Sequence, residues 1–327
     1  MRKFVRLRAA KLVSALALIT VTVFGQSAVA MPNQLTKTDD FLRDRFTNGQ
    51  FVEGFTAGVP DYGFSLEALI QRKALGETKA QIAPAVSYLL LDAGNVFGTV
   101  TRSGFLKTAE HLKLGLAGKW AFASAVAGAD NQKLRRTVLG QALSKIDGTG
   151  DLAPDTKANT YDRAWLVLGL VANHQNKPAI SLAVKLAQNQ LPDGGFNDGF
   201  TLGQSSADGT GIALQALAAA ARVAPGPTVA TLAASEKNAV AYLNKSLVND
   251  HFESYGDPDV NGTAYAAMGL AAAGKSSEQV KRWLQAQIAT DGGFKTPWSA
   301  GSGDVYATAQ AAIAAQGKSY LNFISWR

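Results

Sequence analysis

Six short stretches place polar, proton-handling residues just ahead of a small or apolar run: Asp61-Tyr62, Thr108, Tyr161-Asp162, Ser206 with Asp208, Asp259 with Asn261, and Asp304 with Tyr306. Two carboxylates held roughly 5–10 Å apart, one of them kept protonated by its surroundings, suit hydrolysis or elimination at a glycosidic bond. Asp162 with Asp208, and Asp259 with Asp304, come from successive stretches and are the candidate catalytic pairs. Together with Asp61 and Asn261, these carboxylates could also ring a ligand, with Tyr62, Tyr161, Tyr306 and Trp298 offering amphipathic surfaces. The same residue types have a purely structural use. At the first turn of a helix, Asp, Asn, Ser and Thr satisfy free N–H groups and complement the dipole, at about 1 kcal/mol each. A cap normally lowers a carboxyl's pKa, and the sequence marks no pair above another.

Other chemistries find less support. The chain has no cysteine, which removes thiol nucleophiles, thiolate metal ligands and disulfides. Its three histidines, His111, His174 and His251, stand in unrelated contexts, so neither a metal site nor a cofactor is expected. Glu110-His111 falls in what reads as the second apolar helix, where a lone histidine is ordinarily packed or at the surface. Trp120, Trp165 and Trp283 lie on apolar faces and read as core, whereas Trp326 either folds back or stays exposed.

The first thirty residues read as a secretory leader. Arg2, Lys3, Arg6, Arg8 and Lys11 precede the apolar run Leu12–Phe24, and Ala28-Val29-Ala30 offers a cleavage site before Met31. That run has 13 residues, against roughly 20 for a span. The leader carries five of the 32 Lys and Arg and none of the 25 Asp and Glu, so residues 31–327 carry 27 − 25 = +2. With the basic excess confined to the leader, nucleic-acid binding loses its electrostatic footing. The expectation is a secreted or cell-envelope protein with no transmembrane segment after cleavage.

A repeat must position the polar stretches. Breaks centred on Gly49, Gly94, Gly148, Gly194, Asp250 and Gly292 follow one another at 45, 54, 46, 56 and 42 residues. A small/apolar run follows each break, for example GTGIALQALAAAARV, and an amphipathic run such as SSEQVKRWLQAQ precedes most of them. Two helices with their loops fill such a period at ~1.5 Å rise per residue. Small side chains suit an inner ring and longer amphipathic ones an outer cover. The expectation is all-α: one α6/α6 toroid of six hairpins over residues 31–327, with an open solenoid as the alternative.

Two of the breaks carry a specific signature. Gln190-Leu191-Pro192-Asp193-Gly194-Gly195-Phe196, and Gln287 followed by Asp291-Gly292-Gly293-Phe294, resemble the Gln-x-x-Asp-Gly-Gly-aromatic repeat of the squalene–hopene cyclases and their relatives. The resemblance is clearest over residues 178–315. It implies the α/α toroid shared by terpene cyclases, protein prenyltransferase β chains and the transcobalamin–intrinsic factor group, with DGGF as a structural hairpin turn. It does not carry the chemistry across. Asp259-Val260-Asn261-Gly262-Thr263 falls on the family's Asp-x-Asp-Asp-Thr motif with Asn in place of the proton donor, and the prenyltransferase zinc site needs a cysteine.

The leading expectation is therefore a secreted, non-catalytic protein that binds a ligand or partner in the central cavity or at the inner-helix mouth. The apolar inner helices leave a lipid or isoprenoid-like ligand open, and the resemblance to the transcobalamin-like proteins implies a corrinoid as the other candidate. The sequence ends at Arg327 directly after the sixth repeat, so corrinoid binding is expected only in weakened form or with a partner chain. The alternatives are an extracellular carbohydrate-active hydrolase or lyase using paired Asp residues, and a cell-envelope interaction module.

Overall fold

The computed structural model describes residues 31–98, 104–107, 112–156, 158–199 and 203–326. The leader, Thr108, Glu110 and His111 lie outside the described residues. Six inner helices, α2 (Tyr62–Leu75), α5 (Leu114–Val126), α7 (Thr160–Ala172), α9 (Ala207–Ala221), α11 (Val260–Ala272) and α13 (Val305–Ala311), pack each against the next, and α13 returns onto α2. Around them stand α1 (Met31–Asp44), α3 (Lys79–Val86, running into a π-helical turn at Ser87–Leu91) with the short α4 (Ala93–Phe97), α6 (Gln132–Leu143), α8 (Asn176–Gln188), α10 (Gly226–Ser246) and α12 (Glu278–Ala286). This is the α6/α6 toroid, closed rather than open. Two small hairpins, β1 (Phe46–Thr47) with β2 (Phe51–Val52) and β3 (Glu253–Ser254) with β4 (Asp257–Pro258), decorate the loops that lead into α2 and α11.

Close approach of the inner helices depends on missing side chains. A Cβ on Gly118 of α5 would lie 2.5 Å from Leu166 Cα of α7, and one on Gly269 of α11 would lie 2.6 Å from Gly211 O of α9. Gly169 and Gly211 are equally tight, against Gly118 O and Tyr265 O respectively. The same glycine contact thus recurs two repeats later. The ring is tied shut by bonds between its two ends: Thr38 Oγ1 donates to Gly292 O (2.8 Å), and Ile313 N–H donates to Gln71 Oε1 (2.7 Å).

DGGF is a turn with a fixed wiring. Gly194 and Gly292 adopt φ of 90° and 94°, where L side chains are strained. Asp193 Oδ1 and Asp291 Oδ1 accept the N–H two residues on. Phe196 and Phe294 are fully buried, and their N–H groups donate to Thr210 and Thr308 in the first turn of the next inner helix (2.9 and 2.8 Å). Thr263 does the same for Phe252 and Ser65 for Val52. The threonine that ends the Asp259–Thr263 segment is therefore part of the repeat's frame.

Two boundaries differ from the sequence reading. The run GFLKTAEHLKLGLAG at residues 104–118 reads as one helix in the sequence, but α5 begins only at Leu114, because Phe105 and Leu106 donate their N–H groups to Asn95 and Val96 carbonyls and strap that segment to α4. Pro225 and Pro227 read as marking a surface connection over residues 224–228, but α10 already begins at Gly226 and holds Pro227 inside its first turn, where its missing N–H costs nothing. Trp120 and Trp165 are buried, Trp283 stacks on His251 at 4.8 Å, and Trp326 folds back to donate to Leu321 O.

Candidate functional site

All six inner helices start at one end of the ring, and their polar first turns form its mouth. Capping is real there. Asp61, Asp259 and Asp304 accept the N–H groups of Phe64 (3.0 Å), Asn261 (2.9 Å) and Ala307 (2.8 Å), and Ser206 accepts that of Gly209 (3.1 Å). Asn159 and Asp162 form a reciprocal capping box at α7. Lys113 stands at the start of α5 with no side-chain cap bond.

The structure sorts the candidate residues into groups. Tyr161 and Asp208 come together, with the phenol donating to Asp208 Oδ2 at 2.8 Å. Burial, and then the charge of Asp208, push the Tyr161 hydroxyl well above the usual tyrosine range. Asp259 and Asn261 share one wall with Trp298, and Asn261 Nδ2 donates to Gln310 Oε1 at 2.5 Å. Tyr306 sits between α13 and α2, its ring 4.4 Å from Phe64, near enough to Asp61 and Asp304 that their charges raise its pKa after burial does. Two candidates are drawn away from the mouth. Tyr62 stacks on Phe105 at 4.3 Å and parallel to Tyr88. Asp162 is wedged against Gly115 of α5, accepting its N–H as well as that of Asn159.

Two of the capping carboxyls are shifted opposite to what capping alone would do. Burial raises the carboxyls of both Asp162 and Asp259, against the pull of their N–H donors. For Asp259 the charge of Asp208 on the neighbouring helix adds to the rise. The carboxylate whose charge reaches Asp259 is thus Asp208 and not Asp304, its partner in the candidate pair.

Three residues central to the mouth's floor were missed at the sequence level. Glu67 of α2 pairs with Lys119 of α5, and Tyr265 of α11 donates to Glu67 Oε2 at 3.1 Å. Lys119 also lies 5.0 Å from the Trp165 ring centroid. Tyr320, from the C-terminal turn, enters this region from the opposite end. It packs on Trp165 at 4.9 Å while its N–H donates to Gln215 Oε1. These side chains occupy the lumen beneath the mouth. The available signal was a single charge in each of two otherwise small or apolar runs, GFSLEALI and GLAGKWAFA.

Above the floor, three loops from three adjacent repeats each present one aromatic side chain to solvent: Phe55 (97% exposed), Tyr255 (95%) and Trp298 (84%). Tyr255 and Trp298 face a groove of about 290 Å³ that continues along Asp257, Pro258, Asp259 and Asn261. Tyr255 is held out by its backbone. With Gly256 it forms the two-residue turn of the β3–β4 hairpin, at φ of 54° and 87°, positions that favour Asn and Gly. A larger open hollow of about 790 Å³ lies on the outer wall, between α4 and α6. Among the described residues no cluster of His, Cys, Asp or Glu could hold a metal ion, and no helix is long and apolar enough to cross a membrane.

No family model and no curated protein matches the sequence. Solved structures do match, at the level of fold. Haptocorrin in complex with Cbi is 14% identical with a TM-score of 0.61, the match covering 91% of this chain and 69% of that one. The unsaturated glucuronyl hydrolase of Bacillus sp. GL1, responsible for the degradation of glycosaminoglycan, is 13% identical with a TM-score of 0.59, covering 88% and 95%. An unsaturated glucuronyl hydrolase specific for heparin is 10% identical with a TM-score of 0.62, covering 90% and 98%. The neighbours thus include a binding protein and glycan-degrading enzymes on one toroid. They show the α/α toroid fold, and nothing in them singles out cyclases or prenyltransferases.

Proposed function

We propose that this chain is an exported glycan-binding protein, and that the glycan lies across the toroid mouth in the groove between Tyr255 and Trp298. The observation that carries the reading is the pair of almost fully exposed aromatic rings flanking Asp257, Asp259 and Asn261. A pyranose is itself two-faced. Its C–H faces stack on aromatic rings, while its hydroxyls require carboxylate and amide partners, and this groove supplies both. A lipid or corrinoid in the lumen is supported less well, because Glu67, Lys119, Tyr265, Trp165 and Tyr320 occupy that space.

The test is isothermal titration against a panel of soluble oligosaccharides, with Trp298→Ala and Tyr255→Asn combined in one variant. Binding to at least one oligosaccharide, weakened tenfold or more in the variant at unchanged helical circular dichroism, is the expected result. No binding across the panel, or equal binding by the variant, would reject the reading.

A second reading, cleavage of the bound glycan, is favoured by one specific observation. Asp259 is biased toward its protonated form by burial and by Asp208, as a general acid must be, while Asp208 accepts bonds from Tyr161 and from Gly209 N–H. Asp259→Asn should then abolish turnover and leave binding intact. Absence of turnover by the parent protein on every glycan it binds would leave binding as the whole activity.

A further inference from the structure

We infer that the groove selects a positively charged glycan, one whose residues carry free amines, such as a β-1,4-linked glucosamine chain. This rests on the glycan reading and narrows its ligand class by charge complementarity. The groove lining contains two acidic side chains, Asp257 and Asp259, and no Lys, Arg or His. The hairpin that forms one wall adds Glu253, 3.8 Å from His251 Nε2, and the mouth beside it adds Asp208 and Asp304.

Among the described residues no cation lines the groove. Lys119 is paired with Glu67. Lys113 heads α5, which lies across the ring from α11. Lys295 stands next to Thr296 in sequence but does not line the groove. An ammonium seated here would meet carboxylate on one side and the faces of Tyr255 and Trp298 on the other, where cation–π attraction adds to ordinary charge pairing. A uronate would meet like charge on the same wall. The burial that raises Asp259 points the same way, since an adjacent cation would restore its ionised form.

The experiment compares three oligosaccharides of equal length by isothermal titration at low salt: glucosamine, N-acetylglucosamine and hyaluronate hexamers. The expected result is glucosamine at least tenfold tighter than N-acetylglucosamine, with hyaluronate weakest and the preference shrinking at high salt. Asp257→Asn should erase most of the preference while N-acetylglucosamine binding persists, whereas Trp298→Ala should weaken both. Equal or tighter binding of the N-acetylated or hyaluronate hexamer would overturn the charge inference and leave glycan binding standing. Failure of all three, with no binding in the wider panel, would overturn both.

Discussion

Tyr255 separates what folding needs from what a ligand needs, so its replacement is the most informative perturbation. It occupies a left-handed position, φ 54°, in the tight turn joining Glu253–Ser254 to Asp257–Pro258. For an L residue other than Gly, Asn or Asp this conformation costs roughly 1–2 kcal/mol. The side chain regains little by burial, being 95% exposed. Tyr255→Asn keeps the turn and removes most of that strain, so a gain of about 1 kcal/mol is expected. For a chain of this size that corresponds to a rise in Tm of about 2 °C, small but measurable by calorimetry. The same variant should bind the glycan about tenfold more weakly in titration, having lost one aromatic wall. A fall in Tm would show that the tyrosine contributes to folding. Unchanged affinity would show that it contributes nothing to binding. Either result refutes the reasoning.

The remaining predictions concern the ring and its charges. Gly211→Ala should cost about 3 kcal/mol in urea unfolding, since its Cβ collides with the Tyr265 carbonyl, whereas Gly140→Ala, on the open face of α6, should gain about 1 kcal/mol. Glu67→Gln should cost about 3 kcal/mol by leaving Lys119 unpaired, and adding Lys119→Met should recover most of that; no recovery would mean that the pair is not the cause. The Asp39 carboxyl is pushed up to about 6 by burial and by the charge of Glu77, against Arg43. The native protein therefore keeps a proton that the unfolded chain releases near pH 4, and this group's stabilising effect is lost as pH rises toward 6. Asp39→Asn should accordingly gain stability relative to the parent between about pH 4 and 7; a difference independent of pH would refute the assignment.

The legible part of the fold was the part set by local chemistry. Gly194 and Gly292 had to be turns because of their φ, and Asp61, Asp259 and Asp304 sat where a helix start needs an acceptor. Such signals survive in a single sequence because each depends on a few neighbouring residues. The floor of the mouth does not. Glu67, Lys119 and Tyr265 belong to three different helices, the outer two 198 residues apart, and only ring closure brings them together. Tyr62 has a contact that was equally illegible: its position beside Asp61 suggested a ligand surface, and Phe105, from the strap on α4, stacks on its ring. The onset of α5 at Leu114 was hidden for the same reason, since carbonyls of α4 hold Phe105 and Leu106 out of the helix.

A toroid gathers the N-termini of all its inner helices at one end, so carboxylates there follow from the fold whether or not a ligand exists. Capping and binding are compatible as well: Asp61 and Asp304 each cap through Oδ1. The ring of carboxylates therefore cannot by itself distinguish a site from a well-capped scaffold, and two of its members illustrate each use. Asp162 is half-buried between α5 and α7, serving helix packing, whereas Asp259 opens onto the groove and feels the charge of Asp208. What tips the mouth toward function lies on the loops. Phe55, Tyr255 and Trp298 expose large apolar surfaces that folding gains nothing by exposing, and Tyr255 does so from a backbone conformation that folding would fill with Asn or Gly. Three such departures on adjacent repeats, at the same end of the ring as the paired carboxylates, are what a ligand-binding mouth predicts and a bare scaffold does not.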